Sequence, residues 1–286
     1  GVAWKDKISN QYRIFISATI KDNPTLMEND PSYYNYLDSL PEPLRSAWLF
    51  GDFDAIQGNY FKEWNPEVHI IDEEEARKIG YGHEHNNNYI GIDWGFNAFA
   101  VAEFVQVGRD GSCFFFDEVT TKETHPVEFG EMIYEHIGDT EITGSFIDPS
   151  SRIRNPMSWN NPATPAYSDN SIADAIVGNP DNPYVPNLQM ANNSRIPGWR
   201  AMASRMHYTD KKRPKLFIIK GKCPKLAETI PMMMCDEKNP EDLVKCNFDH
   251  HLDSARYALT NVMTPDIPED VLTAEQKMIR KYLNPK

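Results

Sequence analysis

An α/β domain built on a mixed sheet flanked by helices is the architecture this sequence predicts, and three observations carry the prediction. Tyr89-Ile90-Gly91-Ile92-Asp93 alternates apolar with small or acidic residues, and Gly95 then allows a tight turn into a second apolar run at 98–107. A strand there turns Ile90 and Ile92 into a core and pushes the Asp93 carboxylate out of the other side. After Pro126, Phe129, Met132, Ile133 and Ile137 recur at helical spacing, and the short strand-like run 142–147 follows and ends on Asp148-Pro149. Late in the chain Phe248, Leu252, Ala255, Leu259 and Val262 form one helical stripe, with Asp249, Asp253 and Arg256 on the neighbouring stripe.

Taken in order, residues 11–20 read as a strand closed by the turn chemistry of Asp22-Asn23-Pro24. Tyr33, Tyr36, Leu37 and Leu40 give a short helix that Pro41 and Pro43 interrupt, and 44–50 resumes toward Gly51-Asp52-Phe53. An aromatic cluster at 59–64, the acidic run Asp72-Glu73-Glu74-Glu75 and a polar His/Asn stretch at 83–88 lead to a subdomain boundary. Residues 1–85 are thus expected to be a lead-in subdomain, 86–266 the main domain and 267–286 a tail helix. Within the main domain, Gly108-Arg109-Asp110-Gly111 makes a hairpin into the third strand at 113–119. The Asn/Pro-rich stretch 155–193 is too long for an ordinary connection, so it reads as a functional or mobile loop, with a helical turn or two at 171–177. Trp199, Met202, Ala203 and Met206 mark a helix, Leu216-Phe217-Ile218-Ile219 a fifth and buried strand, and 223–234 another helix. Thr273 and Gln276 open the tail helix with a capping box.

The chain of 286 residues carries 29 Lys or Arg against 42 Asp or Glu, a net charge of −13. That balance argues against a uniformly basic nucleic-acid binder, but the charge is unevenly placed. Between Arg195 and Lys225 ten basic residues, among them Arg195, Arg200, Arg205, Lys211, Lys212 and Arg213, face the single acid Asp210, a local +9. Such a strip can hold a phosphate backbone with steeply salt-dependent affinity, or it is an ordinary solvated face. No apolar run approaches the roughly 20 residues of a membrane span, and the start has no secretory pattern, so the reading is a soluble, non-exported protein. A first residue of Gly rather than Met suggests a piece of a longer protein. Cys113, Cys223, Cys235 and Cys246 form no C-x-x-C pair and read as reduced thiols; Cys235, Cys246 and His250 match no tetrahedral zinc spacing.

Three acids therefore stand out: Asp93 ending the first strand, Asp148 ending the fourth, and Asp253 in the first turns of the late helix. Mg²⁺ takes hard oxygen ligands, a few carboxylates together with substrate phosphate and water. Two such ions about 4 Å apart can activate a water and stabilise the leaving oxygen of a phosphodiester. His250, one turn before Asp253, is placed to orient a water or contact a phosphate. Each residue also has a plainer reading: Asp148 as a turn former, Asp249 as a helix cap, His250 as a surface histidine, and Asp249 stays a secondary candidate only. Glu118, ending the third strand, rivals Asp148 as the second ligand.

At this point the sequence resembles the C-terminal nuclease part of a tailed-phage terminase large subunit, the DNA-packaging motor. The matching pieces are Asp22-Asn23-Pro24, Leu44-Arg45, Gly51-Asp52-Phe53, Ile90-Gly91-Ile92-Asp93-Trp94-Gly95, Phe146-Ile147-Asp148-Pro149 and the string from Asp249 to Leu259, which reads D-H-x-x-D-x-x-R-Y-A-L. The resemblance implies an RNase H-like fold of strand order 3-2-1-4-5, its first three strands antiparallel. It implies a Mg²⁺- or Mn²⁺-dependent endonuclease using two ions on concatemeric double-stranded DNA, with little sequence preference. By position, Asp93, Asp148 and Asp253 become the metal ligands and His250 an accessory catalytic residue. It also implies an ATPase domain, a portal and a small terminase subunit as partners, in the host cytoplasm. No G-x-x-x-x-G-K-[ST] loop occurs in this chain, so no ATP site is expected in it. Two other readings remain open: a structure-specific nuclease of the same fold, such as a Holliday-junction resolvase or ribonuclease H, and a non-catalytic DNA- or portal-binding module.

Overall fold

The computed structural model describes residues 59–152, 171–236, 241–244 and 249–262, residue 239, and short stretches before residue 59. Val2–Lys5 (β1) and Tyr12–Phe15 (β2) pair antiparallel in a separate ribbon, so the strand expected at 11–20 exists in part. Of the helix expected around Tyr33 to Leu40, positions 34 and 37–38 are helical, and Leu37 is buried. The tail helix, residues 153–170, which include the first part of the Asn/Pro-rich stretch, Cys246 and Phe248 lie outside the described residues.

The ordered chain then runs Pro66–His69 (α1), Ile70–Ile71 (β3), Glu73–Ile79 (α2), Asn87–Asp93 (β4), Phe99–Val107 (β5), Cys113–Lys122 (β6), Pro126–Ile137 (α3) and Gly144–Ile147 (β7). It continues through Ile172–Val177 (α4), the ribbon Gly178–Asn179 (β8) and Asn182–Pro183 (β9), Leu188–Met190 (β10), Arg195–Met206 (α5), Leu216–Ile219 (β11), Pro224–Thr229 (α6) and His250–Asn261 (α7). The acidic run before the main domain is the first turn of α2: Asp72 caps it by accepting from the Glu75 amide, where negative charge suits the exposed N–H groups. Among the described residues no helix is long and apolar enough to cross a membrane.

Seven strands form one mixed sheet in the order β10-β7-β4-β5-β6-β11-β3. The expected α/β class and the antiparallel run β4-β5-β6 with β7 parallel beside β4 are all present. The strand order needs a correction. Leu216–Ile219 does not lie beside β7; it pairs in parallel with β6 on the opposite side of the sheet, and β10 from the Asn/Pro-rich stretch takes the place next to β7. The reason is packing: Phe217 stacks on Phe114 at 5.5 Å, and Leu216 and Ile218 share one core with Phe115. β3, from within the lead-in, pairs in parallel with β11 and so belongs to this sheet.

Period-two alternation sorts the residues between two helical layers. Ile90, Ile92, Ala102 and Phe104 face α3 and α4, meeting Phe129, Ile133, Ala173 and Ile176. Tyr89, Val105, Phe115, Leu216 and Ile218 face α5 and α7, meeting Trp199, Met202, Leu252, Ala255 and Leu259. The late stripe is present from Leu252 through Ala255 and Leu259 to Val262, but α7 is more than a one-sided helix: His251, Ser254, Arg256, Tyr257 and Ala258 are buried too. It packs on the sheet and against both α5 and α6. Burying each leucine contributes about 1.5–3 kcal/mol, so this central helix carries much of the layer's stability.

The predicted β5-β6 hairpin closes through Gly111, at φ +79°, and Asp110 accepts from the Ser112 amide and hydroxyl and from Lys215 and Arg213. Partial burial alone would raise the Asp110 pKa, but Lys215 and Ser112 override it and hold it down at about 2. A folded pKa below the ordinary 3.8 stabilises the protein above pH ~4 and that gain is lost as pH falls toward 2. Asp110 is well exposed, so Asp110→Asn should cost only about 0.2–1 kcal/mol at neutral pH. Thermal melts between pH 2 and 5 should show the mutant and wild type converging at the acid end; a gap that widens there would refute the assignment.

Candidate functional site

Strand pairing brings the first two acids together. β4 and β7 run in parallel with Ile92 opposite Ile147, so Asp93 and Asp148, each the next residue on, leave adjacent strands at the same edge. Neighbouring strands lie about 4.8 Å apart, and the carboxyl ends of strands in open α/β sheets are where ligands gather. The third acid arrives on α7, and Gly91 explains how. Gly91 shares a strand face with Asp93, and a Cβ on it would sit 1.8 Å from the Ser254 carbonyl oxygen and 2.9 Å from the Ala258 nitrogen. Only a bare α-carbon lets the helix lie that close. Ser254 then clasps the sheet, its hydroxyl donating to the Gly91 carbonyl at 2.7 Å and accepting from the Glu103 amide at 3.1 Å. The first turn of α7 is thereby laid over the end of β4.

His250 Nδ1 meets Asp93 Oδ2 at 2.8 Å. Burial pushes the Asp93 pKa up, the charges of Asp253 and Asp148 push the same way, and the His250 hydrogen bond opposes them. His250 is raised in turn, chiefly by that bond to Asp93, against burial. Burial would also raise Asp148, but hydrogen bonds from Ser150, Tyr257 and Asn193 outweigh it and lower the pKa. The Ser150 amide reaches Asp148 Oδ1 at 2.6 Å and the Tyr257 hydroxyl reaches Oδ2 at 2.7 Å. Asp253 lies between two guanidinium groups: Arg256 Nε and Nη2 bind its Oδ1 at 3.0 and 2.5 Å, and Arg195 Nη1 stands 3.6 Å from Oδ2. Both guanidinium groups lie over Trp199, at 5.3 Å for Arg195 and 4.8 Å for Arg256. Asp249 precedes α7 without capping it through its side chain; it is 3.9 Å from Arg195, and burial followed by the Asp253 charge raises its pKa.

The site therefore gathers Asp93, Asp148, Asp253, His250 and Asp249 at one corner of the sheet. Glu118 is elsewhere, and it does not end its strand as expected, because pairing with β5 carries β6 on to Lys122. It faces α7 two strands away, paired in register with Glu103, and accepts the Lys225 and Leu226 amides at 2.9 and 3.1 Å. Among the described residues, the one set of ligand atoms lying within 4.8 Å of one another is Glu103, Glu118 and Cys223; the three aspartates are more widely spread.

The basic strip is dispersed by the fold. Arg195 leaves it for the acidic corner and also binds Asp242 at 3.2 Å, while Arg200 pairs with Glu241 and Arg213 with Asp110 at 3.2 Å. Arg205 turns back to the Ala201 carbonyl at 3.1 Å, and Lys211 and Lys212 stand exposed without an ion pair among the described residues. Sequence reasoning missed Tyr257, Trp199 and the Arg195–Asp253–Arg256 arrangement. The i, i+3 spacing of Asp253 and Arg256 could have signalled their bond, whereas nothing in sequence links Tyr257 to Asp148, 109 residues away.

No protein-family model matches the chain, and no curated protein matches it in sequence. Solved structures do match its fold. The large terminase from the thermophilic bacteriophage D6E in complex with ADP superposes with a TM-score of 0.53 at 17% identity, over 86% of this chain and 55% of that one. The same terminase in complex with ATP-gamma-S gives 0.52 at 17% identity, over 88% and 56%. The P22 large terminase nuclease domain, at 17% identity over 70% of this chain and 90% of that one, reaches a TM-score of 0.47, too low to argue from. The chain spans about half the length of the D6E terminase structures it matches. The likeness is one of fold: this chain folds as a part of a phage large terminase folds.

Proposed function

We propose that the chain is a Mg²⁺- or Mn²⁺-dependent endonuclease that cuts concatemeric double-stranded viral DNA during genome packaging, with little sequence preference. The observation that carries the reading is the convergence of Asp93 and Asp148 at adjacent parallel strand ends with Asp253 and His250 from α7 laid over them. The donor set is the all-oxygen kind that hard divalent ions take, and burial, with the charges of Asp253 and Asp148 adding to it, holds Asp93 above its usual range, a cost that bound cations relieve. Asp93, Asp148 and Asp253 would hold two ions, which when bound would supply a nucleophile at neutral pH and charge stabilisation for the leaving oxygen.

The chain's own residues divide the remaining work. Asp93 holds the His250 ring through Nδ1, which in the neutral tautomer carrying the proton there leaves Nε2 to take one from an approaching water. Tyr257 and the Ser150 amide fix the Asp148 carboxylate in one orientation. Of the two guanidinium groups beside Asp253, Arg195 at 23% exposure, against 2% for Arg256, is the one a phosphate oxygen can approach. In the full-length protein, the partners of this reading are an ATPase domain, the portal and a small terminase subunit, working in the host cytoplasm.

Nicking of supercoiled plasmid in Mn²⁺ tests the assignment. Asp148→Asn should lower the rate by about a hundredfold or more, and Tyr257→Phe by roughly 10–100-fold with weaker apparent metal affinity. Glu118→Gln should stay within several-fold of wild type, because its carboxylate lies on β6, two strands away from the one that carries Asp93. Equal cutting by Asp148→Asn, or a strong preference for a branched substrate or an RNA–DNA hybrid over duplex, would overturn the reading.

A further inference from the structure

A second polar cluster lies under α7, and the proposed cleavage uses none of it. In register with Gly91, Glu103 on β5 and Glu118 on β6 face the same helical layer. Cys223, at the cap of α6, and His251, at the start of α7, close over them. Glu103 and Cys223 are fully buried, and one ligand atom from each of Glu103, Glu118 and Cys223 lies within 4.8 Å of the others. His251 Nδ1 is 2.6 Å from Glu103 Oε1 and 3.7 Å from Glu118 Oε2. The remaining Glu103 oxygen, Oε2, is buried with no hydrogen-bond partner, an expensive state for a carboxyl group in a sealed interior.

We propose that Glu103, Glu118, Cys223 and His251 form a structural binding site for one borderline divalent cation of the zinc class, separate from the aspartate corner. The donor set decides the class. A thiolate and two carboxylates within reach of one another, with the His251 imidazole against Glu103, supply the mixed sulfur, oxygen and nitrogen donors that Zn²⁺ takes, whereas Mg²⁺ demands an all-oxygen octahedron. The outer contacts suit the role as well: the Lys225 and Leu226 amides orient Glu118, and the Thr120 hydroxyl lies 3.3 Å from His251 Nε2. The ligands come from β5, β6, α6 and α7, so a bound ion would pin both helices to the sheet behind the residues that carry His250 and Asp253.

Co²⁺ is the direct probe. Full-length protein stripped with chelator and titrated with Co²⁺ should bind one equivalent with a thiolate-to-cobalt charge-transfer band, which Zn²⁺ abolishes by displacement. Cys223→Ala should lose the band, Glu103→Gln should weaken cobalt binding at least about tenfold, and Asp93→Asn should leave the band intact. Should Cys223→Ala not fold, Cys223→Ser gives the same readout, and wild-type melting should rise with Zn²⁺ at concentrations where Mg²⁺ has no effect. Absence of a thiolate band in wild type, or its survival in both cysteine variants, overturns the proposal. Plasmid cleavage reports on the aspartates and the cobalt band on Cys223, so the two sites stand or fall separately.

Discussion

Asp93→Asn is expected to abolish DNA cleavage while leaving the protein at least as stable as wild type. The two halves have one cause. Asp93 is a buried carboxylate whose pKa is raised by desolvation and by the neighbouring charges of Asp253 and Asp148. At neutral pH its charge therefore weighs against folding, because a raised carboxyl pKa favours the fold only below that pKa. Asparagine keeps the shape and an oxygen for the 2.8 Å contact with His250 and removes the charge. It also removes the acid that adjoins both Asp148 and the α7 turn, and with it the means of holding cations. Nicking of supercoiled plasmid at saturating Mn²⁺ should fall on the order of a thousandfold, about 4 kcal/mol of transition-state stabilisation. The melting temperature should stay level or rise, and the increase that Mn²⁺ gives wild type should disappear. A mutant that cuts at the wild-type rate would sink the nuclease assignment; a mutant that loses stability together with activity would mean Asp93 holds the fold rather than the ions.

Gly91→Ala is expected to be the most damaging single-methyl change in the main sheet. The argument rests on space rather than backbone conformation. The added Cβ would lie 1.8 Å from the Ser254 carbonyl oxygen and 2.8 Å from its carbon, and both are backbone atoms of a helix packed on three sides. They cannot rotate aside as a side chain does. Either α7 lifts, breaking the Ser254 contacts to Gly91 and Glu103, or β4 distorts next to Asp93. A cost of about 3 kcal/mol or more follows from overpacking combined with lost buried hydrogen bonds. For a domain of this size that corresponds to a melting temperature lower by roughly 6–12 °C. Whatever protein remains folded should cut poorly, since the shift carries His250 and Asp253 away from β4. A melt within about 2 °C of wild type would show that the helix has room to give.

Much of this architecture was legible in the chain because it is local. The alternation through Ile90 and Ile92, the Gly108-to-Gly111 hairpin and the stripe on α7 each follow from neighbours within a few residues, and each is present. β10 was not legible: Leu188–Met190 is three residues in an Asn/Pro-rich stretch, too short for a periodic signal, and it becomes a strand through pairing with β7. The side of the sheet that β11 joins was equally hidden, because Leu216–Ile219 is apolar throughout and its pattern states burial without naming a partner. Arg195 was assigned to a basic strip by its neighbours in sequence, yet Asp242, Asp249 and Asp253 draw it into the acidic corner.

By itself the sequence determined most of the strands and helices of the main domain, which faces are apolar, and that Asp93 and Asp148 close strands while Asp253 opens the last helix. The tertiary structure decided what those acids meet: Asp148 beside Asp93 and under Tyr257, Asp253 between two arginines, Glu118 turned to the start of α6. The physical reason is range. Periodicity and capping act over a few residues and are written in local order, whereas electrostatic and hydrogen-bond partners are chosen by strand register and by how close Gly91 lets α7 approach.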